Sequence, residues 1–220
     1  MKKILIIACI LLFTGCLDNL KFWGDKTEEK SKQEPKKVDT NKTVVIDYTK
    51  KQLEVKEYFE LYLKQLESLD IEGIISMTYP KLFIPINKTL FKQYVNSLLT
   101  STHISVESFD ADITFIDSVQ SYSQGEFVHL KYYTSIKLAF INPELYNDEL
   151  SINVLNDILS SKYGKENITI EPQERTITIK KEEKLLAIKE NEKEWKFIGD
   201  NQEYRRLYPQ ILPLDILSKI

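Results

Sequence analysis

Val55, Phe59, Tyr62, Leu66 and Leu69 recur at intervals of four and three, which puts them on one face of a helix running from about Lys50 to Leu69. Asp70 then caps a short second helix that stops before Pro80, since a residue preceding proline resists the helical conformation. Thr89 is the expected cap of a third helix over Leu90 to Thr100. Beyond His103 the period switches to two: Ile104, Val106 and Ser108 alternate, as do Ile113, Phe115 and Asp117. After a turn at Gln124 and Gly125 comes a longer run. In it Val128, Leu130, Tyr132, Ile136, Leu138 and Phe140 share one face, and His129, Lys131, Tyr133, Ser135 and Lys137 share the other. One side is core. Pro143 opens an inserted helix with Leu145, Leu150, Val154, Leu155, Ile158 and Leu159, which Tyr163 and Gly164 should end. Strands are expected at 168–170, 176–179, 185–188 and 195–198, and Pro209 and Pro213 divide one or two short terminal helices.

Helices first, then a mostly antiparallel sheet with short turns, is an α+β layout. The expectation is N-terminal helices packed on a curved sheet, with an inserted helix and short C-terminal helices. The helix from Lys50 to Leu69 with Asp70 after it, the long strand from Phe127 to Ile141 and the closing Trp195-Lys196-Phe197-Ile198 make residues 44–201 similar to the nuclear transport factor 2-like superfamily. That resemblance implies helices lying in the concavity of the sheet. The inserted helix and the tail from Glu203 to Ile220 depart from it.

The front of the chain follows another pattern. Lys2 and Lys3 precede an apolar run from Ile4 to Phe13, and Thr14-Gly15-Cys16 follows at once, the layout of a secretory signal peptide. The run is too short to span a bilayer stably as a helix. Phe13-Thr14-Gly15-Cys16 resembles the lipobox of bacterial lipoproteins, with Phe where Leu is usual. The resemblance implies that residues 1–15 are removed and that Cys16 carries diacylglycerol on its thiol, with its amine usually acylated. Two or three acyl chains, at roughly 0.8 kcal/mol per buried methylene, hold a protein on a membrane where one chain would not. Leu17 stands where Asp tends to retain lipoproteins at an inner membrane, so an outer membrane is favoured if the source is Gram-negative.

Between anchor and helices, Gly24 to Thr43 holds five acidic and six basic residues, with Val38 as its only branched aliphatic. Such a segment buries too little to offset the entropy of ordering, so residues 16–43 form a disordered tether and 44–220 a single domain. Asp39-Thr40-Asn41-Lys42-Thr43 matches the extended acceptor pattern of bacterial N-glycosylation at Asn41, a pattern that also arises by chance. Once the signal leaves with Cys9 and Cys16 is alkylated, no thiol remains. Thiol catalysis, cysteine-ligated zinc and iron–sulfur clusters are then excluded.

Residues 44–220 carry a net charge of −6 with no basic stripe, which argues against nucleic acid and against attraction to anionic lipid. The partner beyond the membrane itself is expected to be an envelope protein, a glycan or a small molecule. No phosphate loop, nucleophile elbow or calcium loop occurs, and His103 and His129 lack the spacing of metal ligands, so no cofactor or metal is expected. Glu182 and Glu183 are expected to be solvated charges. Two classes remain. The first is a lipid-anchored protein whose domain binds a partner without catalysis. The second is an enzyme or ligand carrier with a cone-shaped pocket, for which Tyr62, His129 and Tyr133 are the candidate lining.

Overall fold

The computed structural model describes residues 48–99, 103–142, 148–191 and 193–220. Cys16, the tether, Asn41, Pro143 and Leu145 lie outside them. Helix α1, Lys50–Glu67, starts with a capping box in which Thr49 and Gln52 satisfy each other's free N–H groups. It buries Val55, Phe59, Tyr62, Leu63 and Leu66 on one face, as the spacing predicts. Leu69 turns the chain with φ +54°, and Asp70 caps α2, Ile71–Met77, by accepting from the Gly73 N–H at 3.1 Å. A single turn, Pro80–Phe83, leads to α3, Lys88–Leu99. Its first free N–H groups are met by Asn87, whose side chain accepts from Leu90 at 3.0 Å. Thr89, the expected cap, lies inside the helix, because Asn87, two residues earlier, already caps it.

Six strands follow, all paired antiparallel in one open sheet: β1 Ile104–Ile116, β2 Gln120–Tyr122, β3 Gly125–Phe140, β4 Ile168–Glu171, β5 Thr176–Glu190 and β6 Lys196–Gly199. The long strands β3 and β5 run side by side over fifteen register pairs, from Gly125↔Glu190 to Ala139↔Thr176. β1 and β2 share the outer edge of β3, and β4 and β6 share that of β5. Gly125 makes the β2–β3 turn tight: with φ +155°, a Cβ there would sit 1.9 Å from the Lys189 carbonyl oxygen. Helix α4, Glu149–Tyr163, is capped by Asp148 and ends at Gly164, φ +89°, as Tyr163-Gly164 predicts. Three short helices, α5 Gln202–Arg205, α6 Tyr208–Ile211 and α7 Leu214–Leu217, end the chain.

Alternation along β3 sorts the core between the two faces of the sheet. Val128, Leu130 and Tyr132 pack under α1 and α2 with Val55, Phe59, Tyr62, Trp195 and Phe197. Farther along the same face, Ile136, Leu138 and Phe140 pack under α4 with Leu155, Leu159, Ile177 and Ile179. Phe127 points the other way and joins Leu186, Ile188 and Ile198 beneath Tyr204, Tyr208, Ile211 and Ile216 of the terminal helices. The α+β class thus holds, with helices on both faces. The tail is part of the core, because it covers an apolar end of the sheet that would otherwise face water.

Candidate functional site

The three residues proposed as a pocket are not brought together. Tyr62 is buried on the α1 face, its ring 5.0 Å from that of Phe197 and 6.4 Å from that of Phe59. His129 lies on the opposite face, its ring 6.4 Å from Phe127. Tyr133 shares that opposite face but lies four residues along, between Asp112 and Glu182, and is exposed. A two-residue period puts His129 and Tyr133 on one side of the sheet, and the α1 contacts put Tyr62 on the other. What the sequence could not supply is that the terminal helices cover only the His129 end.

Two polar clusters stand in their place. One is centred on Asp200, just past β6 and buried. Its carboxylate accepts from Arg205 Nε at 2.6 Å and Nη2 at 3.1 Å, and His129 Nδ1 lies 3.3 Å away. Tyr208 Oη lies 2.7 Å from the Gly199 carbonyl oxygen and 3.3 Å from Asp200 Oδ1. Burial alone would raise the Asp200 carboxyl, but hydrogen bonds and charge from His129 and Arg205 override it and hold the group well below the usual carboxylate range. The same surroundings push the Tyr208 phenol up, first through burial and then through the Asp200 charge. These contacts, from His129 of β3 and from Arg205 and Tyr208 of the terminal helices, fasten those helices to β3 and to the end of β6.

The second cluster lies on the inner face, in the seam between the part covered by α1 and the part covered by α4. Glu183 of β5 faces Tyr132 of β3, and Lys181 faces Thr134. Glu183 is buried and ion-paired with Lys181, whose Nζ sits 5.3 Å from the centre of the Tyr163 ring. Far from being solvated, this carboxylate is walled in by aromatic rings. Glu182, its neighbour, is the exposed one, because adjacent strand residues point to opposite faces. Burial raises the Glu183 carboxyl above its usual range; Lys181 pulls it down and Glu203 pushes it up again. Burial also drives the Tyr132 and Tyr62 phenols upward and brings that of Tyr204 to about 12.

Lys181→Met alone is expected to cost about 2–3 kcal/mol, below the roughly 3–5 kcal/mol of a broken buried pair because the Glu183 carboxyl, already raised by burial, can take up a proton. Lys181→Met with Glu183→Leu should lie within about 1 kcal/mol of the parent, because both desolvation costs vanish together. Urea unfolding of the parent, both single variants and the double variant measures the difference.

A buried carboxyl with phenols about it is the raw material of acid–base chemistry, but a substrate needs room. The cavity beside Tyr62, between Thr78, Phe197, Gly199 and Tyr204, measures about 20 Å³, enough for one water molecule. Ligand pockets run from about 300 Å³ upward. Among the described residues no cluster of three His, Cys, Asp or Glu side chains could hold a metal ion, and no helix is long and apolar enough to cross a membrane. In sequence and in fold the chain matches no family model, no curated protein and no solved structure.

Proposed function

We propose that this chain is a lipid-anchored protein of a bacterial cell envelope whose folded body binds a partner protein across its surface and converts no substrate in its interior. The observation that carries the reading is the close packing around Tyr62 among the described residues. Where a pocket would sit, the Phe59 ring lies 5.3 Å from Tyr132 and 5.4 Å from Phe197, and the space left beside Tyr62 is the size of a water. The surface is better supplied. On α4, Leu150, Val154 and Ile158 recur every four residues on one stripe and are 74, 42 and 43 % exposed, while Leu155 and Leu159 hold the helix to the sheet.

The anchor rests on Lys2, Lys3, the apolar run from Ile4 to Phe13 and Thr14-Gly15-Cys16. Cys16→Ser is expected to abolish incorporation of radiolabelled palmitate, because no thiol is then left to receive diacylglycerol. Mass spectrometry of the wild type should find an N-terminus at acylated Cys16, and a wild type that begins at Met1, or a variant that still takes up the label, overturns the anchor. For the body, chemical cross-linking on the native membrane should join it to a defined companion in fixed ratio.

A further inference from the structure

The stripe on α4 says nothing about what would cover it, whereas the outer edge of β1 does. β1 ends the sheet: it pairs with β3 on one side and has no strand on the other among the described residues. Half of its backbone N–H and C=O groups therefore point outward. Irregularities between Val106 and Ser108 and between Ile113 and Phe115 bracket a regular stretch, Ser108 to Ile113, that stays in register with Lys137 to Tyr132. Among the described residues a side chain of another element hydrogen-bonds to the edge strand's backbone at its far end, where the Gln52 amide donates to the Ile116 and Asp117 carbonyl oxygens.

The two faces of this stretch differ sharply. Phe109, Ala111 and Ile113 lie on the inner face, partly buried at the rim of the core between α1 and α4. Ser108, Asp110 and Asp112 lie on the outer face, all exposed. The residues directly across from the two aspartates are Ser135 and Tyr133, and neither aspartate forms an ion pair among the described residues. This one-sidedness extends well beyond the strand. From Gln93 to Leu130, 38 residues, the chain has no Lys or Arg but five acidic residues, in a protein with 30 Lys and Arg in 220. Acidic side chains on an edge repel indiscriminate pairing and select for cations.

We propose that the β1 edge from Ser108 to Ile113 is a strand-addition site for an extended segment of a partner protein in which apolar residues alternate with Lys or Arg. This rests on the partner-binding reading above and names the surface and the partner's chemistry. Added to β1, such a segment bonds to the free backbone groups, lays its apolar side chains beside Phe109, Ala111 and Ile113, and sets its cations against Asp110 and Asp112. A second copy of β1 does not fit, because its own aspartates would meet them.

The probe is a fluorescein-labelled decapeptide alternating Val with Lys, titrated against the full chain, with backbone amide exchange followed by mass spectrometry. Binding should weaken with added salt and slow exchange across Ser108 to Ile113. In the D110K/D112K variant affinity should fall at least tenfold, with an unchanged melting temperature because both side chains are exposed. Failure of the wild type to bind, equal binding by the variant, or equal binding of a Val–Glu decapeptide would overturn the proposal. So would protection of this stretch in the free chain that disappears on deleting residues 24–47, which would assign the edge to the protein's own leading segment, or protection that rises with protein concentration, which would assign it to a second copy. A companion cross-linked on native membranes that D110K/D112K still retains would leave partner binding standing and remove β1 from it.

Discussion

Phe59→Ala is expected to cost about 3–5 kcal/mol and to lower the melting temperature by roughly 10 °C. Phe59 is fully buried at the middle of α1, where its ring meets Tyr62, Tyr132 and Phe197. Those neighbours come from a helix and two strands, so no single element can shift to fill the space. The cost should therefore be that of an open cavity as well as of lost transfer energy. Calorimetry of the two proteins checks it. A loss below about 2 kcal/mol would mean that α1 can slide on the sheet, and the tight interior behind the functional argument would lose its support.

Asp200→Ala should cost about 2–4 kcal/mol at neutral pH. Breaking a buried charge pair costs roughly 3–5 kcal/mol, discounted here because Arg205 is half exposed and can return to water. The effect has a pH signature. Burial works against the charged form, but His129 and Arg205 hold the folded group well below the usual carboxylate range. Above about pH 5 the carboxylate is charged in folded and unfolded chains alike, and its contribution is complete. As pH falls further, the unfolded chain takes up a proton that the folded one resists, and the contribution drains away. Asp200→Asn should therefore lie closer to the parent at pH 3 than at pH 7 in urea unfolding, and an equal gap at both values would remove the carboxylate's charge from the account.

Much of the architecture was legible because it rests on local periods. The face of α1, the cap at Asp70, the alternation of β3 and the stop at Gly164 all follow from spacing within a few residues. Where spacing broke, the expectation broke with it. β5 looked like two strands, 176–179 and 185–188, because Lys180-Lys181-Glu182-Glu183-Lys184 interrupts its apolar run. In the fold this charged stretch lies between the pairing partners β4 and β6, and all of it still pairs with β3. β1 looked like two strands for a similar reason, since its bulges shift the period twice. The polar clusters were illegible. His129 and Asp200 are 71 residues apart, and nothing near either marks the other. Lys181 and Glu183 could have been suspected, since at i, i+2 in a strand they share a face, and that face is the one Ile177, Ile179 and Leu185 bury.

The terminal helices set an order of events as the chain emerges from its N-terminus to fold. Phe127, Leu186, Ile188 and Ile198 are translated before Tyr204, Tyr208, Ile211 and Ile216, the side chains that shield them. Until Ile216 has emerged with them, that side of the sheet stays wet and has nothing to close over. The chain is thereby kept from locking early, and the interval in which it remains pliable, or vulnerable to aggregation, lasts until Ile216 is in place.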